Sequence, residues 1–210
     1  MKYIIFDLDG TLLDSMPVWR GTGSGFLERH NFPIPPNLME VVKTQTIWQT
    51  AAWFRKDLGV PMEETEIVNE IVSSVVEAYR STIPLKEGAR EYLERNMQEG
   101  IRMCVLTASE AEYIYPALER LDILKYFDHI LTCTELNAYK DDGKAYLIAM
   151  EKMGGTLENT VVFEDAFYAV KGAKAAGFCV YAVLDETVRK DDIEKIKALA
   201  DFSFQSYKEL

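Results

Sequence analysis

The chain is short of several things, and each shortage excludes something. Its 210 residues include only 3 cysteines and 2 histidines. Cys104, Cys133 and Cys179 lie far apart with no CxxC pair, which argues against a disulfide framework or a thiolate metal site. Each sits in an apolar, strand-like run, the setting of a small buried hydrophobe in a reducing compartment. His30 and His129 share no metal-ligand spacing. Positive charge is scarce too: 23 Lys and Arg stand against 34 Asp and Glu, a net charge of −11. Such a chain repels phosphate backbones and anionic headgroups, so nucleic acid and membrane surfaces are poor partners for it. No stretch approaches the ~18 continuous apolar residues of a membrane span. Met1 to Phe6 lead straight into acidic residues, unlike a secretory leader. The expectation is a cytoplasmic monomer.

What is present is enough apolar material for a core: 48% of residues are hydrophobic and 11% aromatic. At this length roughly 70% of the unfolded chain's surface can be buried. Short apolar runs read as buried strands: KYIIF near the start, Met103 to Thr107, His129 to Cys133, Thr160 to Phe163 and Phe178 to Leu184, with a weaker run in ADFSF. Helical patterns fall between most of them. Ala89 to Gln98 stops before Gly100, and Ser109 to Leu121 starts with Ser109 as its cap. Lys144 to Met153 stops at Gly154-Gly155, and Tyr168 to Ala176 at Gly177. Alternating strands and helices with fully apolar strands predict an α/β fold, a doubly wound parallel sheet.

From Met16 to Ser81 the rhythm changes. No strand pattern occurs there, and Ile67, Val68, Ile71, Val72, Val75, Val76 and Tyr79 make one helical stripe. The expected organisation is a core domain of residues 1–15 and 82–210, with a helical domain of residues 16–81 inserted after the first strand. Such an insert can open to admit substrate and close to exclude water.

The chemistry concentrates at strand ends. Asp7-Leu-Asp9-Gly10-Thr11-Leu-Leu-Asp14-Ser15 follows the first strand. Open parallel sheets bind ligands beyond the carboxyl ends of their strands. Two acids beside a glycine turn call for a cation, and a hard divalent ion such as Mg²⁺ would accept their oxygens and leave room for phosphate. Thr107, Ala108 and Ser109 end the second strand, where a hydroxyl and free N–H groups suit a phosphate oxygen. Lys140 follows the third strand and could neutralise phosphate charge, with Lys144 as an alternative. Glu164 and Asp165 end the fourth.

This constellation resembles the haloacid dehalogenase-like hydrolases, in particular the helical-cap phosphatase and beta-phosphoglucomutase-like subgroup with its Rossmann-like core. DLDGTLLDS, LTAS and FEDAFYAVKGAKAAG are similar to the family's first, second and fourth motifs. The resemblance implies that Asp7 is a nucleophile forming an aspartyl phosphate, and that Asp9 is the acid and base. It further implies that Thr107 and Lys140 hold the phosphoryl group. Mg²⁺ would be held by Asp7, the Asp9 backbone carbonyl and Asp165, with Glu164 beside it. The third motif departs from the family's Lys-Pro-x-Pro, since Asp141 and Gly143 replace its prolines. Trp19, Lys43 and Gln45 of the insert are candidate substrate-binding residues. The expected activity is hydrolysis of a small phosphorylated metabolite. The alternatives are a phosphosugar mutase of the beta-phosphoglucomutase kind, against which the absence of a histidine soon after the first motif counts, and a non-catalytic binding protein on the same fold.

Overall fold

A computed structural model describes residues 1–42, 45–185 and 190–210, with the backbone alone at Lys190. The chain divides into two compact units, Met1–Ser15 with Ile83–Leu210, and Met16–Thr82.

The larger unit is built on a six-stranded parallel sheet. Its strands are β1 (Tyr3–Phe6), β2 (Arg102–Thr107), β3 (His129–Thr132), β4 (Thr160–Glu164), β5 (Cys179–Val183) and β6 (Phe202–Phe204). They lie in the order β3-β2-β1-β4-β5-β6. The chain lays strands down on one side of β1, then returns to its other side at β4, so the strand order reverses between β1 and β4. That reversal opens a crevice at the carboxyl ends, the place where doubly wound sheets bind ligands. The register pairs Phe6 with both Val105 and Phe163. Asp7 therefore leaves its strand level with Glu164, and its N–H donates to the Phe163 carbonyl at 2.9 Å.

The helices of the smaller unit are α1 (Met16–Arg29), α2 (Leu38–Val42), α3 (Ile47–Lys56) and α4 (Glu64–Ser81). The expected stripe is the buried face of α4: Ile67, Val68, Ile71, Val75 and Tyr79 are all buried. Three of them join Phe26, Leu27, Leu38, Ala51 and Phe54 in one core. Thr46 and Gln49 form a reciprocal capping box at the start of α3.

Among the described residues the α-helices of the larger unit are α5 (Ala89–Gln98), α6 (Ala111–Arg120), α7 (Cys133–Leu136), α8 (Lys144–Met153), α9 (Phe167–Ala175) and α10 (Lys190–Leu199). The segments that leave and re-enter this unit run side by side, with Leu13 and Leu85 forming an antiparallel bridge. Lys86 ties them together, its ammonium 3.0 Å from Asp14 and 2.6 Å from Asp185. All three cysteines are free thiols. Among the described residues no helix is long and apolar enough to cross a membrane.

Candidate active site

The hydrophobic run of β1 ends at Asp7, whose polar and charged neighbours come from two other segments, the turn before α8 and the end of β4. Lys140 is 3% exposed, and its ammonium donates to Asp7 Oδ1 and, at 2.6 Å, to Glu164 Oε1. Asp7, Glu164 and Asp165 form a buried group of carboxylates with oxygens within 4.8 Å of one another. Lys144, by contrast, is exposed at the first turn of α8. Its N–H donates to the Asp142 carboxylate at 2.9 Å. Asp141 and Asp142, in the segment where prolines were expected, therefore stand in exposed positions, and Asp142 supports the start of a helix.

The three carboxylates are not equivalent. Glu164 has both oxygens fully engaged: Oε1 accepts from Lys140 and from the Tyr146 hydroxyl at 2.7 Å, and Oε2 from the N–H groups of Asp165 and Ala166. A carboxylate with four donors is a poor candidate to turn towards a further partner, so it serves as the anchor of Lys140. Asp7 Oδ2 is buried and has no hydrogen-bond partner. Burying such an oxygen unsatisfied costs roughly 1–3 kcal/mol or more. Burial and the Glu164 charge push the Asp7 carboxyl up to about 7, against the pull of Lys140. Burial, then the charges of Asp7 and Glu164, raise Asp165 well above its ordinary value. Lys140 is lowered by its own burial, but the charges of Asp7 and Glu164 outweigh this and hold it firmly protonated. One ammonium thus offsets three acids. An orphaned anionic oxygen within an all-oxygen donor set fits a hard divalent cation, with Asp7 and Asp165 as the side chains able to hold it.

Asp9 stands outside this group. Ser15 Oγ donates to its Oδ1 at 2.7 Å and Ser109 Oγ to its Oδ2 at 2.6 Å. Ser109 does not cap a helix as expected. Glu110 takes the cap position of α6, and the serine hydroxyl is spent on Asp9 instead. Thr107, buried at the end of β2, accepts the Ser109 N–H on its hydroxyl at 3.0 Å, which leaves the Thr107 O–H able to donate. Trp19 and Gln45 belong to the other unit. There the Trp19 indole N–H donates to the Tyr79 hydroxyl at 3.0 Å, and Gln45 accepts from the Thr50 hydroxyl. Lys43 lies outside the described residues.

Sequence reasoning missed Tyr146 and gave Ser15 no role. Tyr146 has a legible signal: it falls with Ala145, Ala149 and Met153 on the buried face of α8, and a buried phenol must find a polar partner. Ser15 has none, because only folding brings it back over Asp9.

The model of the haloacid dehalogenase-like hydrolases matches residues 1–177. The chain belongs to the haloacid dehalogenase-like hydrolase family. A phosphorylated carbohydrates phosphatase of Thermotoga maritima is 29% identical over 84% of this chain and 82% of its own length. A fructose-1-phosphate phosphatase of Escherichia coli is 27% identical over 83% of this chain and 92% of its own. A Thermotoga maritima protein assigned as a beta-phosphoglucomutase superposes with a TM-score of 0.87 at 23% identity, over all of this chain and 96% of the other. At that identity the likeness speaks for the fold. This haloacid dehalogenase-like hydrolase therefore has the family's parallel sheet, and its buried acids lie at the reversal of strand order.

Proposed function

We propose that the chain is a divalent-cation-dependent phosphatase that hydrolyses a small phosphorylated metabolite through an aspartyl phosphate on Asp7. The observation that carries this reading is the buried Lys140 ammonium shared between Asp7 and Glu164, beside the unpartnered Asp7 Oδ2. The names of the sequence relatives support the phosphate monoester class.

Hydrolysis of a phosphate monoester in water is among the slowest of biological reactions, and transfer to a carboxylate divides it into two displacements. In the first, an Asp7 oxygen bonds to phosphorus while the bond to the leaving oxygen breaks, and Asp9 gives that oxygen a proton. In the second, Asp9 takes a proton from water, the water oxygen bonds to phosphorus, and the Asp7–phosphorus bond breaks. Asp7 is restored and inorganic phosphate leaves. Lys140 stabilises negative charge on the transferring group. The Thr107 hydroxyl donates to one of its oxygens. Ser15 and Ser109 orient the Asp9 carboxylate. A cation held by Asp7 and Asp165, Mg²⁺ by the chemistry of the donors, would lower the repulsion between carboxylate and phosphate.

The test is phosphate release from a panel of phosphorylated metabolites by the purified chain with Mg²⁺. Turnover should vanish in EDTA and in Asp7→Asn. Lys140→Ala should cut kcat by about 10²-fold or more, the scale of losing one preorganised charge partner. Lys144→Ala should be nearly silent. Isomerised phosphosugar in place of free phosphate would replace hydrolysis with mutase activity. No turnover of any compound would overturn the reading.

A further inference from the structure

Tyr146 is fully buried, and its hydroxyl is committed to one particular oxygen. It donates to Glu164 Oε1 at 2.7 Å, the same oxygen that accepts from the Lys140 ammonium at 2.6 Å. Burial and the Glu164 charge raise Tyr146 well above its ordinary value, so the phenol keeps its proton and stays a donor to the carboxylate. The ring faces Lys140 as well. The ammonium lies 5.8 Å from the ring centre, within reach of its negative face. An edge-on contact with Phe178, 6.1 Å between ring centres, supports the ring in that position. Tyr146 stands in the first turn of α8, just past the turn that carries Lys140. The helix that begins there therefore reaches back to the lysine before it.

Lysine carries its charge on a flexible four-carbon stem, so the place of the ammonium is set by its partners. Among the described residues two of the three Lys140 donors have partners, Asp7 and Glu164, and the third is left for a phosphoryl oxygen. Lys140 and Ala108 line a cavity of about 420 Å³, through which such a group can reach the ammonium. Glu164 Oε2 is fixed by the N–H groups of Asp165 and Ala166. Among the described residues Oε1 has Lys140 and Tyr146 alone. Without the phenol, that oxygen would be held only by the flexible group it has to anchor. We propose that Tyr146 is a positioning residue: its hydroxyl fixes Glu164 Oε1 and so sets where the Lys140 ammonium meets the transferring phosphoryl group. The consequence for turnover rests on the phosphatase reading, and the placement of Lys140 rests on geometry alone.

Tyr146→Phe is the test, because it keeps the ring against Phe178 and Lys140 and removes the hydroxyl alone. With p-nitrophenyl phosphate, or the metabolite turned over fastest, and saturating Mg²⁺, kcat should fall about tenfold, the scale of one hydrogen bond to a charged group. KM should change by less than about twofold, because the ammonium keeps its charge near the phosphate and loses only the alignment that counts as charge develops. Glu164→Gln should be impaired on its own, and adding Tyr146→Phe to it should cost little more, since the hydroxyl acts through Glu164. Unchanged kcat in Tyr146→Phe, a loss confined to KM, or losses that multiply in the double variant would overturn the proposal. A second measurement needs no turnover. Nitrogen-15 relaxation of the Lys140 ammonium, its signal assigned by its disappearance in Lys140→Ala, should show greater mobility in Tyr146→Phe than in the wild type, with the backbone amide spectrum otherwise in place. Equal mobility would overturn the placement. Should the wild type release phosphate from nothing, the phosphatase reading fails on its own, and the relaxation measurement still decides the role of Tyr146.

Discussion

Asp7 carries a conflict at the scale of one residue. Its carboxyl is pushed from 3.8 up to about 7, first by burial and then by Glu164. A raised acid holds a proton in the folded chain that the unfolded chain has already lost. Its contribution to stability is therefore complete below about pH 4 and is lost as pH rises through about 7. Asp165, raised by burial and by the same neighbours, acts in the same direction. Ionised carboxylates are also what a metal binds, so cation affinity rises as this stability falls. Two trends follow for the melting temperature. In EDTA it should decline between about pH 5.5 and pH 8, and excess Mg²⁺ should raise it more at the upper pH than at the lower. Asp7→Asn, neutral at every pH, should flatten most of the decline in EDTA. Scanning fluorimetry across pH with and without Mg²⁺ measures all three. A melting temperature that rose with pH in EDTA would contradict the burial argument.

Among the secondary-structure elements, the position of Lys140, in the turn before α8, depends on a glycine inside α9. Gly172 lies inside α9 with its Cα against the turn before α8. A Cβ there would stand 1.9 Å from the Lys140 carbonyl oxygen and 2.8 Å from Asp141. Both obstacles are backbone, so the turn itself would have to move. Overpacking of this kind costs about 1–3 kcal/mol, and a displacement near 1 Å at a reacting group can cost about 10²-fold in rate. Gly172→Ala should lower kcat far more than it raises KM, and lower the melting temperature by several degrees. Gly21→Ala is the control: it sits in α1 with nothing within 4 Å of its added Cβ. It should leave activity intact and stabilise the helix by roughly 0.5–1 kcal/mol. Circular dichroism melts and steady-state kinetics on both variants separate the effects.

Gly172 also marks the limit of what could be read in advance. The strands were legible, because a short apolar run that ends in an acid or a hydroxyl has the pattern of a strand buried on both faces. So was the gathering of Asp7, Glu164 and Asp165, since strand ends converge once the sheet is parallel. Lys140 lies beyond α7, past the end of β3, and is preferred to Lys144 on the resemblance to the family's third motif alone. Partners supplied by other elements were not legible. The glycine in KGAK looks like an ordinary helix defect, and Ser109 looks like a cap until Asp9 is placed opposite it.

At the scale of the whole molecule, the net charge of −11 opposes the approach of any phosphorylated substrate. The local site does little to reverse this. With Asp7, Glu164 and Asp165 all ionised, as metal binding requires, the three carboxylates and one ammonium sum to −3 + 1 = −2, and a divalent cation brings the cluster to zero. Once loaded, the site is nearly neutral at a distance, so the field that an incoming dianion meets is that of the acidic surface. That field reaches about 30 Å at 0.01 M ionic strength and about 8 Å at 0.15 M. Screening it should favour encounter and leave the chemistry untouched. At fixed saturating Mg²⁺, kcat/KM for a phosphate dianion should therefore rise severalfold over that range while kcat stays level, the inverse of the salt response of a positively steered enzyme. Stopped assays at matched pH across a sodium chloride series measure it. A fall in kcat/KM with salt would mean that a positive local field at the strand ends outweighs the acidic surface as seen by the substrate. A flat profile would mean that encounter and ground-state binding are set by contacts inside the cavity, with no contribution from the molecule's net charge.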